Sequence, residues 1–164
     1  MQNPARPLIG PSRSEVSTRT PGPIIADDGA QYTEDFFVYG VGPLTVAAGA
    51  SALGNFQVEA NSLFLWDRAS YFATIANAAF DADTQPIPNV AIQITDSGSG
   101  RQLFRTPQPI PSVFGFGGLP FVLPQPRYFE RNSLVQVELS NFDAAVTYII
   151  RLSFLGSKLF KSAR

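Results

Sequence analysis

Proline and glycine interrupt this chain too often to leave room for a long helix: 14 Pro and 13 Gly are spread over 164 residues. Proline removes a backbone donor and fixes φ, and glycine raises the entropy cost of any regular element. Between the breakers lie short runs rich in Phe, Val, Ile, Leu and Tyr, the composition of strands. The expectation is an all-β chain of one domain's length, long enough to bury a core.

Period-2 alternation locates the strands from Tyr32 onward. Asp35 to Gly42 predicts a strand that ends at Gly42-Pro43, and Leu44 to Ser51 a second short run. Phe56 and Val58 alternate with Gln57 and Glu59. Phe64 and Trp66 then share one face while Leu63 and Leu65 share the other, which needs two covered faces or one covered face plus a partner. Thr74 to Phe80 fits a helical turn, closed by Asp81 and the prolines at 86 and 88.

Val90, Ile92 and Ile94 alternate with Ala91, Gln93 and Thr95 before "DSGSG", and Arg101 to Phe104 returns as a hairpin. Leu134 to Leu139 and Thr147 to Phe154 read as two antiparallel strands around the turn "SNFDAA", with Tyr148, Ile150, Leu152 and Phe154 on one face. About seven or eight strands at this spacing predict a two-sheet antiparallel sandwich, specifically a jelly roll.

Residues 1 to 30 differ from the rest. They hold five prolines, three arginines, three acids and no apolar period. Alone, such a segment cannot offset its ordering entropy. It is either a flexible tail or an extended arm that becomes ordered on a neighbour, and the arm is the expectation carried forward. The division is thus an arm over 1–30 and a sandwich over 31–164 with a short basic C-terminal tail.

Composition bears on chemistry as well as fold. There is no Cys, so neither disulfides nor thiolate catalysis, and no His, the commonest general base and metal ligand. Charged residues make up 15%, against the usual quarter, and 14 of the residues are Phe. A lone subunit with so few charges would be poorly soluble, so the simplest expectation is that other subunits cover much of its surface. The opening "MQNPARPLIGPSR" is no secretory signal and no run of 18 apolar residues exists, so we expect a protein made in the cytoplasm with no membrane span.

Three stretches invite a chemical reading. Gly115, Gly117 and Gly118 in "SVFGFGGLPFVLPQP" lack the lysine and following helix of a phosphate loop, so packing or partner contact is expected there. Asp96, Ser97, Ser99 and Arg101 could hold an anion or a sugar hydroxyl, but a hairpin turn requires the same residues. Asp81 and Asp83 resemble a paired carboxylate, whose ordinary reading is a solvated turn. No enzyme activity, cofactor, metal or small-molecule substrate is expected.

Charge is unevenly placed. Residues 31 to 155 hold six Arg and ten acids, while the last nine residues carry both lysines and Arg164. Lys158, Lys161 and Arg164 could therefore meet an acidic partner, or form a solvated end. Nucleic acid is not expected as a partner, because the aromatic-rich segments are nearly uncharged.

From "EDFFVYG" to "LGSKLF" the chain resembles small structural proteins of tailed bacteriophage particles. The resemblance rests on "FQVEANSLFLWDRASYFA", "VAIQITDSGSGRQLF", "VFGFGGLPFVLPQPRYF" and "YIIRLSFLGSKLF", and excludes the arm. It implies a β-sandwich subunit without catalytic residues that coats, cements or adapts part of the virion. The expected role is a capsid cement or decoration protein in the phage head, partnered by the major capsid protein and by copies of itself.

On that reading the contacts are Arg6, Leu8, Ile9, Arg13 and Arg19 of the arm and Phe114, Phe116, Leu119, Phe121 and Val122 of the loop. The loop side chains could instead cap one end of the core. A neck or tail adaptor is the alternative, and a glycan-binding module using Trp66, Asp67 and Arg68 a remoter one.

Overall fold

The alternation of the sequence is realised as strands almost throughout. The computed structural model describes residues 24–25, 31–78 and 86–161. In chain order these form β1 (Ile24–Ile25), β2 (Gln31–Val46), β3 (Ser51–Gln57), β4 (Ser62–Ile75), β5 (Val90–Asp96), β6 (Arg101–Gln102), β7 (Gln108–Pro109), the one-turn helix α1 (Ile110–Val113), β8 (Gly115–Phe116), β9 (Phe121–Phe129), β10 (Leu134–Asn141) and β11 (Tyr148–Lys161). One sheet has the order β1-β2-β11-β4, with β8 and β9 both on the far side of β4. The other has the order β3-β10-β5, with β6 and β7 both on β5. All pairings are antiparallel except the two-residue β4–β8 contact. The fold is therefore all-β, with two antiparallel sheets as expected.

The inward rows of the two sheets meet in one aromatic core. Val135, Val137 and Leu139 face it from β10, and Tyr148, Ile150, Leu152 and Phe154 from β11. Phe56 of β3 bridges the sheets: its ring stacks on Tyr39 of β2 at 4.6 Å and tilts against Phe154 at 4.9 Å. Each such side chain contributes about 1.5–3 kcal/mol by leaving water.

The structure corrects several boundaries. β2 does not end at Gly42-Pro43 but runs through it. The register of β2 on β11 slips between Ile150 and Leu152, so Gly42 and Pro43 together face Arg151 as a bulge, where a missing N–H is tolerated. Gly42 has φ 107°, which explains the glycine. Thr74 and Ile75 belong to β4, with a turn after them and no helix among the described residues up to 78. β10 and β11 both form but do not pair with each other, because "SNFDAA" carries the chain from one sheet to the other. Buried Asn141 holds this crossing. Its Nδ2 donates to the carbonyls of Val46, Ala47 and Val146, and its Oδ1 accepts from Asp143 N.

A second bulge shapes the surface described next. Asp67 of β4 stands where the register slips against both β11 and β9. The extra residue lets Trp66 point inward and Arg68 outward.

Candidate interaction surface

Strand register fixes what each sheet shows to solvent. On the β2-β11-β4-β9 sheet one outward row is Val38, Leu155, Arg68 and Val122, and the next is Phe36, Ser157, Leu65 and Tyr128. Phe36 is 66% exposed, Val122 65% and Tyr128 56%, and Leu65 and Leu155 are half-buried. Arg68 lies over the same face, its guanidinium 6.0 Å from the Phe36 ring centroid and its Nε 3.1 Å from Asp67.

The opposite sheet is built differently. Its outward row pairs Ser51 with Ser140 and Asn55 with Gln136, and Glu138 stands opposite Leu53. The Ser51 and Ser140 hydroxyls are 3.0 Å apart. Antiparallel sheets ordinarily alternate apolar-in and polar-out; β10 and β3 do so apart from exposed Leu53 and Leu134, while β5 is buried on both faces. The contiguous apolar face of the first is of the kind that marks contact with a partner. Leu63 and Leu65 signalled it in the sequence. Phe36, Val38, Tyr128 and Leu155 were missed, because a single outward Phe or Val on a strand means nothing until register sets it beside others.

The loop at 112–126 divides. Phe114 is fully buried, packed 5.4 Å from Phe154 and 6.2 Å from Trp66, which corrects its assignment as an exposed anchor. The cause is α1: Phe114 N donates to Ile110 O at 2.8 Å, and one helical turn sets both side chains into the core. Pro111 allows this turn because it sits in the first positions of the helix, where its N–H is not needed. Phe121 is half-buried, Phe116 packs its exposed ring 5.3 Å from Tyr71, and Leu119 is 79% exposed. Leu119 and Phe116 thus remain on the surface at the β4 edge, where Phe116 stands level with inward Tyr71, and Val122 belongs to the apolar face.

Lys158 is not a free cation of a tail. β11 continues to Lys161, and the inward row Ile150, Leu152, Phe154, Gly156 extends to Lys158, which is buried. Its Nζ lies 2.7 Å from Glu59 Oε1 and 3.3 Å from the Phe37 ring centroid. Tyr39 donates its hydroxyl to the other Glu59 oxygen. Burial opposes ionisation of Glu59, but the hydrogen bonds from Lys158 and Tyr39 hold its carboxyl below the usual range. Burial and the Glu59 charge push the Tyr39 hydroxyl well above its ordinary value. Lys161 is exposed at the strand end.

Trp66 is buried as well, its Nε1 donating to Arg68 O at 2.7 Å, so Trp66, Asp67 and Arg68 form no exposed sugar platform. Asp96 organises its turn by accepting from Gly98 N at 2.9 Å and Ser99 Oγ at 2.7 Å, the hairpin role. Arg6, Leu8, Ile9, Arg13, Arg19, Arg164, Asp81 and Asp83 lie outside the described residues. Among the described residues no cluster of three or more acidic side chains is placed to hold a metal ion, and no helix is long and apolar enough to cross a membrane.

A groove opens where the free edges of the sheets diverge, between β9 and the β5–β6 hairpin. Its volume is about 690 Å³. Trp66 and Phe129 line it together with Phe104, Phe121, Pro124 and Pro126, and Arg101, Gln125, Arg127 and Glu130 supply polar groups.

No protein-family model matches the chain, and no curated protein or solved structure matches it.

Proposed function

We propose that the protein is a virion structural subunit with jelly-roll topology, acting as a capsid cement or decoration protein that docks on shell subunits of a phage head. The observation that carries this reading is the contiguous apolar outer face of the β2-β11-β4-β9 sheet, opposite a polar one. Such a two-sided subunit has an inner side for a partner and an outer side for water. The connectivity agrees. β2 pairs with β11, β3 with β10, β4 with β9 and β5 with β6, so the first half of the chain pairs with the second in reverse order. That order supports the jelly-roll reading, in which one long hairpin winds around a core, as in many capsid and lectin domains. The low charge and the resemblance to phage structural proteins point the same way. Weak contacts repeated over a shell add up through avidity.

Quantitative mass spectrometry of purified particles tests the role. A copy number equal to that of the major shell protein, or a simple fraction of it, is the expected result. A handful of copies would move the subunit to the neck or tail, and absence from particles would overturn the virion reading.

A further inference from the structure

The groove beside β9 has the chemistry to take an extended proline-rich segment, and the chain carries one. Pro4 and Pro7 are spaced three residues apart in "PARP", and Pro11 follows in "IGPSR". A polyproline helix has three residues per turn, so in that conformation Pro4 and Pro7 would share one face. Aromatic-lined grooves bind such segments at low entropy cost, because the bound conformation is already populated. Here half-buried Phe104 and Phe121 and exposed Pro124 provide the apolar walls over buried Trp66 and Phe129, and β9 is an edge strand that pairs only with β4 among the described residues.

Position selects the donor. Ile24–Ile25 pairs with the start of β2, on the edge of the sheet opposite β9. Those edges are four strand spacings apart, roughly 19 Å. Two copies set side by side in the same orientation bring the departing segment of one against the groove of the next. Twenty-three residues can span roughly 75 Å when extended, far more than this contact needs. The contact is head-to-tail, so it repeats from copy to copy and closes into a ring when the rotation allows.

We propose that the groove lined by Phe104, Phe121 and Pro124 binds the Pro4–Pro11 segment of a neighbouring copy. This rests on the reading of the protein as an assembling subunit and names how its copies join. It leaves the apolar sheet face free for the shell.

The chain has no cysteine, which makes a crosslinking test clean. Full-length Ala5→Cys is mixed with full-length Gln125→Cys, and Gln136→Cys on the polar sheet serves as the control acceptor. Mass spectrometry then follows the heterodisulfide under mild oxidation. The expected result is a rate at least tenfold above the control, cut at least fivefold when Pro4→Ala and Pro7→Ala are added to the Ala5→Cys chain. A rate equal to the control overturns the groove assignment and leaves the particle copy number, hence the virion reading, untouched. Insensitivity to the proline substitutions overturns the polyproline mode of binding. An intramolecular disulfide in the A5C/Q125C double variant, with none in the mixture, overturns exchange between copies.

Discussion

Glu59 and Lys158 form one ion pair, yet deleting either partner leaves a different residue behind. The Lys158 side chain is 11% exposed and the Glu59 side chain 47%. Glu59→Gln strands an ammonium among Phe37, Tyr39 and the strand backbone, where water cannot replace the lost charge. Lys158→Met keeps the packing and leaves a carboxylate that water can reach. Denaturant unfolding is therefore expected to show a loss of about 2 kcal/mol for Glu59→Gln and less than about 1 kcal/mol for Lys158→Met. The sign with pH follows from the lowered Glu59 value. A carboxyl whose folded pKa lies below its unfolded one stabilises fully above the ordinary carboxylate range, and that contribution is lost as pH falls through the folded value. Stability of the native protein should drop over that acid window more steeply than that of Glu59→Gln. Equal acid slopes would show that the pair contributes nothing.

Between strands, backbone approach is as informative as side-chain contact. A Cβ at Gly156 would fall onto the Leu65 carbonyl at the bulge where β4 and β11 change register, whereas one at Gly40 meets nothing within 4 Å. Gly156→Ala should cost at least about 2 kcal/mol by forcing the central strands apart, and Gly40→Ala should be nearly neutral; thermal unfolding of the two variants checks this. This level also marks how far the sequence could be read. Alternation located β10 and grouped the faces of β11 and the first half of β4 correctly, because burial of one face dictates a period of two. It could not say which sheet each strand joins, since an inward residue looks the same from either side, so "SNFDAA" read as a hairpin rather than a crossing. Gly42-Pro43 read as a stop because a bulge has no signature separate from a turn. Lys158 was legible in principle: the inward period continues through Gly156 to it, which demands a buried partner. Charge counting by segment hid that.

For the whole molecule the asymmetry of the two outer faces matters most. The need for a second covering beyond Leu63 and Leu65 was visible in the sequence. The patch itself was not, because Phe36, Leu155, Arg68 and Val122 come from four strands that only register brings side by side. None of these side chains supports the core, so they can be changed without unfolding the sandwich. The most direct measurement is binding of the purified full-length chain to particles assembled without it, comparing the native protein with Phe36→Asp/Val122→Asp. Burial of one large apolar side chain is worth about 1.5–3 kcal/mol, and tenfold in affinity is about 1.4 kcal/mol. The native chain should rebind in a fixed ratio to the shell protein, and the folded double variant should bind at least tenfold more weakly. Equal binding by the two, or no binding by the native chain, would contradict docking through this face.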